Sequence, residues 1–254
     1  MCERQACRAI LQSRTDHLTR GLNTSVRKPA DGEFTAATSA SSPCMLHELG
    51  ADGAPGVDPE QARDVARWRK AERERLIAAR CLLAVQDRTD QAGIIAGRLV
   101  QIIAASGIAS PAVSVYWPIR GEPDLRAWMH TLCHSGARVA LPVATALAQP
   151  LVFREWRPGA RMERGLWKIP YPADGAVVVP NVVIAPLVGF DLQGYRLGYG
   201  GGFFDRTLAL LDPKPLTVGV GYPDAELRTI FPQPHDIPMD WVVTASKTFN
   251  AALS

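Results

Sequence analysis

Several absences narrow the reading of this chain first. No uninterrupted apolar run approaches the length of a membrane span. The first residues carry charges but no apolar core of roughly 7–15 residues, so a secretory leader is not expected. Cysteine is sparse and odd in number: five, at Cys2, Cys7, Cys44, Cys81 and Cys133, with no C-x-x-C pair. That excludes a disulfide frame and a zinc ribbon, and suits reduced thiols of a cytoplasmic protein. The formal net charge is only +3, which by itself points to neither nucleic acid nor membrane. No Gly-Lys-Ser/Thr triplet is present, so there is no Walker A loop. No motif of a Ser or Cys nucleophile accompanies His235-Asp236, which rules against a hydrolytic dyad. No internal repeat is visible.

What is there centres on one stretch, Arg196-Leu-Gly-Tyr-Gly-Gly-Gly-Phe-Phe-Asp-Arg206. Four glycines, Gly198, Gly200, Gly201 and Gly202, fall within five positions. Glycine permits positive φ and lets a ligand approach bare N–H groups. The apolar run from Phe203 to Leu211 predicts a helix beginning directly after the turn. A glycine turn opening a helix aims unpaired N–H groups and the positive end of the helix dipole at an anion. Arg196 and Arg206 add positive charge, and Asp205 is a candidate ligand of a metal ion. The dinucleotide fingerprint does not fit, because Phe203 stands where its third glycine would be. The residues therefore describe a nucleotide phosphate site with Mg²⁺. The plain alternative is a flexible turn between a strand and a helix.

With Phe190-Asp191 and Gly194-Tyr195 before it, this stretch resembles the motif of the 5-formyltetrahydrofolate cyclo-ligase family, the methenyltetrahydrofolate synthetases. The resemblance runs from about Asp64 to Ser246. It implies a single Rossmann-like three-layer α/β domain of the NagB/RpiA/CoA transferase-like kind, with a mostly parallel sheet. It implies a ligase that uses ATP and Mg²⁺ to close 5-formyltetrahydrofolate to 5,10-methenyltetrahydrofolate, releasing ADP and phosphate. Both substrates are small molecules, and a monomer is expected. ATP would lie on Arg69, Arg196, Leu197, Gly198, Tyr199, Gly200, Gly201, Gly202, Phe203 and Phe204. Asp205 and Asp236 would hold Mg²⁺. Glu122 and Arg196 would be catalytic, and Trp117, Glu122 and Trp167 would hold the folate. Two departures stand out. Val65 replaces the lysine of the family's first helix, where Arg67 or Lys70 could supply the charge. Phe203-Phe204 replace the usual Tyr-Tyr.

The rest of the chain reads as alternating helices and strands. Residues 1–57, rich in Ser, Thr, Ala, Gly and Pro, read as a disordered extension, because such a stretch buries too little apolar surface to offset its ordering entropy. The α/β domain is expected over 58–250. Asp58, Pro59 and Gln61 announce a helix running to about Leu83. Its mixed charges read as a solvated face, with Arg69 the exception. A packing helix is expected from Thr89 to Ser106. Strands are expected at 112–117, 138–142, 151–156, 181–186, 215–221 and 241–244, with a crossover helix at 124–135. This βαβ pattern predicts ligands at the strand ends. Two rival functions fit less well: a non-catalytic ATP- or folate-binding paralogue with a regulatory role, and an NAD-dependent oxidoreductase.

Overall fold

The structure is a computed structural model, and it describes residues 58–251. The expected N-terminal extension lies outside the described residues.

Asp58 opens the first helix, α1 (Pro59–Cys81), by accepting a hydrogen bond from the Glu60 N–H, and Pro59 fills the first helical position. After a short turn comes α2 (Val85–Ala105), four residues earlier than periodicity alone placed it. Its buried stripe is Ala92, Ile95, Leu99, Ile102 and Ile103. Strand β1 (Ala112–Ser114) is shorter than the apolar run around it, so Trp117 lies beyond the strand end. Helix α3 (Arg126–His134) crosses to β2 (Arg138–Val143), and β3 (Val152–Trp156) returns antiparallel to it.

A small hairpin of β4 (Met162–Arg164) and β5 (Pro170–Pro172) follows. Then come β6 (Val182–Pro186) and a second hairpin, β7 (Gly189–Phe190) with β8 (Arg196–Leu197). Helix α4 (Phe203–Leu210), β9 (Leu216–Val220), β10 (Trp241–Val243) and β11 (Thr248–Asn250) complete the fold. Both hairpins and β11 escaped the sequence reading, because strands of two or three residues carry too few positions for a period of two to show.

The main sheet has seven strands in the order β11-β10-β9-β6-β1-β2-β3. The five inner strands, β10, β9, β6, β1 and β2, run parallel, and both edge strands are antiparallel. The expected α/β class with a mostly parallel sheet is observed. Alternation along β6 divides the core. Val182 and Ile184 face α2 and α3 through Ile95, Leu99, Trp128 and Met129. Val183 and Ala185 face the other layer, with Leu76 of α1 and Leu208 of α4. A strand covered on both faces needs apolar residues throughout, which is why this run is continuous in sequence. No helix among the described residues is long and apolar enough to cross a membrane.

Candidate active site

One face of α1 builds half of the site. Arg69, Arg73, Leu76 and Arg80 recur at steps of four, three and four, which places them on one side of a helix. Leu76 is buried in the core and anchors that face. The three arginines then reach three different parts of the chain.

Arg69 donates from Nε to the Ile230 carbonyl at 2.9 Å and from Nη2 to the Phe231 carbonyl at 2.8 Å. Its Nη2 also donates to Asp236 Oδ2 at 2.5 Å. Burial alone would push the Asp236 carboxyl up, but the Arg69 hydrogen bond, the Gln233 N–H bond and the Arg69 charge together outweigh it and hold the carboxyl below its ordinary range. Behind this pair, the fully buried Asp191 accepts from the N–H groups of Tyr195 and Ile230 and fixes the backbone that receives Arg69. Burial raises the Asp191 pKa against those backbone bonds.

Arg73 donates from Nε to the Gly198 carbonyl at 2.7 Å, and its guanidinium packs beside Gly200. Burial, and then the charge of Arg69, lower its pKa, as expected for cations crowded together without enough anions. Arg80 is buried. It donates to the Arg120 carbonyl at 2.8 Å, to the Leu187 carbonyl at 3.3 Å and to the Tyr199 hydroxyl. Arg73 and Arg80 correct the sequence reading, which left this helix face to solvent. Arg67 pairs with Asp64 on the surface, Lys70 is exposed, and Val65 packs with Trp68 and Phe231. The 4-3-4 spacing around Leu76 was the signal available in the sequence.

The glycine turn forms the second part. Gly200 and Gly202 sit at φ +91° and +61°, where a side chain is strained, and Gly202 is the N-cap of α4. No side chain caps the start of α4. The Gly201 carbonyl accepts from Arg206, whose guanidinium lies over the Phe203 ring. Arg196 is buried, donates to the Ile237 carbonyl at 2.9 Å and lies over the Phe204 ring. Burial lowers its pKa, against the pull of Asp205. Its Nη2 is 2.7 Å from Asp205 Oδ1, a close buried ion pair, whereas Arg206 Nε is buried without a hydrogen-bond partner among the described residues. A buried donor left without a partner favours an incoming anion. Leu197 differs from its expected role: its side chain is in the core and its carbonyl accepts from Val188, so neither is open to a ligand.

The expected metal carboxylates are neighbours, because Asp205 Oδ1 accepts from the N–H of Ile237, the residue after Asp236. Both Asp236 oxygens face Arg69, and Oδ2 also accepts from the Gln233 N–H. Of the two, only Asp205 keeps an oxygen, Oδ2, that accepts no hydrogen bond among the described residues. Among those residues no three His, Cys, Asp or Glu side chains gather as a metal site. Oxygen donors suit Mg²⁺, which commonly takes one or two carboxylates plus substrate phosphates. This donor set fits one carboxylate contact to a phosphate-bound ion. It does not fit a cation held equally by both, because Asp236 is engaged by Arg69.

Glu122 forms the third part, in the loop after β1. Its side chain is 1% exposed. It accepts from the Ile119 N–H at 2.9 Å and from the Tyr199 hydroxyl at 2.9 Å, and Arg80 lies 3.7 Å away. Burial raises its pKa to about 7, against the Ile119 bond and the Arg80 charge. A cleft of ≈ 280 Å³ opens beside it, lined by Trp117, Arg88, Arg120 and Arg126 among others. Arg126 stacks over Trp117. Arg88 and Val85 belong to the first turn of α2, so that helix does more than pack. Trp167 is not in this cleft. It is 60% exposed and meets the Phe203 ring edge-on at 5.3 Å. Its φ of 54°, followed by 59° at Lys168, is a conformation that side chains rarely adopt.

The site thus consists of a glycine turn flanked by arginines and joined through Tyr199 to the buried Glu122. Residues 65–245 match the model of the 5-formyltetrahydrofolate cyclo-ligase family. The chain belongs to the 5-formyltetrahydrofolate cyclo-ligase family. It is 37% identical over 150 residues to a 5-formyltetrahydrofolate cyclo-ligase of Escherichia coli, covering 56% of this chain and 82% of that one. It is 35% identical over 148 residues to a 5-formyltetrahydrofolate cyclo-ligase of Mycolicibacterium smegmatis, covering 55% of this chain and 76% of that one. Among solved structures, a 5,10-methenyltetrahydrofolate synthetase of Aquifex aeolicus superposes with a TM-score of 0.63 at 26% identity, over 72% of this chain and 92% of that one. A Mycoplasma pneumoniae 5,10-methenyltetrahydrofolate synthetase, at 19% identity and a TM-score of 0.58, shares the fold over 70% of this chain and 98% of that one. The matched region spans Arg69, Arg73, Arg80, Glu122, the glycine turn, Asp205 and Asp236.

Proposed function

We propose that this cyclo-ligase family member closes 5-formyltetrahydrofolate to 5,10-methenyltetrahydrofolate with ATP and Mg²⁺, releasing ADP and phosphate. The observation that carries the reading is the pairing of two sites. One is a glycine turn that opens a helix with no side-chain cap and has Arg73 and Arg206 beside it, suited to phosphates. The other, reached through Tyr199, is a buried carboxylate beside an arginine-rimmed cleft.

The chemistry accounts for needing both. A formamide oxygen leaves poorly. Transfer of the γ-phosphoryl group to that oxygen turns it into phosphate, which leaves well. N10 of the folate attacks the formyl carbon and gives up its proton to water, the C–O bond breaks with its electron pair going to phosphate, and the five-membered ring closes. Phosphoryl transfer is mostly positioning and charge neutralisation. Arg69, Arg73, Arg196 and the turn amides would hold the phosphates. A magnesium ion bound with the nucleotide would neutralise phosphate charge, with Asp205 as its protein contact and Asp236 keeping Arg69 in place. Glu122 and Trp117 would hold the pterin so that N10 lies near the formyl carbon. Trp167 would cover the glycine turn through Phe203.

Purified full-length protein with 5-formyltetrahydrofolate and Mg-ATP is expected to develop methenyl absorbance. Omitting ATP should abolish it. A folded protein that binds either ligand but forms no product would favour the non-catalytic reading, which the replacement of Tyr-Tyr by Phe203-Phe204 motivates.

A further inference from the structure

Tyr199 is one residue of the glycine turn, yet its side chain does not stay there. Its hydroxyl donates to Glu122 Oε1 at 2.9 Å and accepts from Arg80. Two guanidiniums, Arg80 and Arg120, lie over its ring, each 5.7 Å from the ring centre. The flanking Gly200 makes this course possible through its φ of +91°. The turn is therefore tied to α1 twice, by Arg73 on the Gly198 carbonyl and by Arg80 on Tyr199.

We propose that Tyr199 is a positioning residue that fastens the glycine turn to Glu122, so that nucleotide at the turn and substrate at Glu122 strengthen each other's binding. The inference rests on the two-ligand reading above. A phenol has one proton to donate, and here Glu122 receives it. A ligand that fixes the turn fixes that donor, and with it the orientation and ionisation of Glu122. Coupling of this kind is reciprocal: whatever one ligand does for the other, the other returns.

Other groups also face the Glu122 carboxylate or its cleft. Arg80 comes from α1, Arg88 from α2, and Arg120 and Asp124 from the same loop. Tyr116 donates to the Pro123 carbonyl and Tyr222 to the Gly121 carbonyl, so neither offers Glu122 its proton. Tyr199 is thus the side chain that links the phosphate turn to the carboxylate by a neutral hydrogen bond. Removing that donor destabilises the ionised form and raises the Glu122 pKa further.

The test uses the full chain and Tyr199→Phe, which keeps the ring and removes one oxygen. Calorimetry measures 5-formyltetrahydrofolate binding with and without a non-hydrolysable ATP analogue and Mg²⁺. In the wild type each ligand should tighten the other by about 5- to 10-fold, within the range usual for coupled sites. In Tyr199→Phe that factor should fall to near one, and the acid limb of kcat/KM should move to higher pH. Tyr199→Leu, lacking ring and hydroxyl, should lose the coupling equally and serves if the first variant folds poorly. An unchanged coupling factor with an unmoved acid limb in a folded variant overturns the proposal. Wild-type protein that binds both ligands without coupling overturns it too, and leaves the proposed function standing. Wild-type protein that binds neither ligand removes the function reading itself.

Discussion

Glu122 gives a prediction whose size follows from the structure. Its carboxyl is buried and raised from 4.5 to about 7. The folded state therefore holds a proton that the unfolded chain has already released at pH 5 or 6. Stability must then fall as pH rises through that window, and the loss is complete above about pH 7. At about 1.4 kcal/mol per pH unit, the full loss is about 3 kcal/mol. Glu122→Gln removes the titration while nearly preserving shape. Urea unfolding followed by tryptophan fluorescence should be run on both proteins from pH 4 to pH 8. The wild-type advantage over Glu122→Gln should shrink by about 3 kcal/mol across that range. Asp191 and Asp236 are the same in both proteins, and their contributions cancel in the difference. A difference that stays flat to within about 1 kcal/mol would refute the reasoning, because it would mean that Glu122 ionises as if it were in water.

Other substitutions separate anchoring from ligand contact. Asp236→Asn should lower stability by about 3 kcal/mol, read by chemical denaturation, because it leaves the buried Arg69 without its anion. Asp205→Asn should instead raise the Mg²⁺ concentration needed for half-maximal activity, with folate affinity unchanged. Arg73→Ala should weaken nucleotide binding by about tenfold, one lost charge-assisted contact, with little effect on folate binding measured by calorimetry. Gly202→Ala should destabilise by about 1 kcal/mol or more, since φ is +61° and a Cβ there would sit 2.9 Å from Arg206 Nη1; a melting scan reads this.

Much of the fold was open to reading because it rests on local chemistry. The Asp58–Pro59 start, the apolar stripe of α2 and the continuous run at β6 each follow from neighbours in the chain. The class of sheet then follows from alternation of helix and strand. The glycine turn could also be read from sequence, since two of its positions need φ that only glycine takes easily. The roles of individual charges were harder to see. Arg73 and Arg80 look like any solvated helix arginines until a carbonyl at Gly198 and a hydroxyl at Tyr199 arrive from more than a hundred residues away.

Sequence by itself thus determined the longer elements, the mostly parallel sheet, the glycine turn and the family motif, all of which are written in short-range spacing. Only the tertiary structure decided which charges meet. It assigned Asp236 to Arg69, set Trp167 on Phe203 instead of in the cleft, and joined Tyr199 to Glu122. The physical reason is that periodicity fixes which face a side chain occupies, while pairing depends on how separate elements pack. Burial and partner together set the charge of a carboxylate, and both are properties of the packed whole.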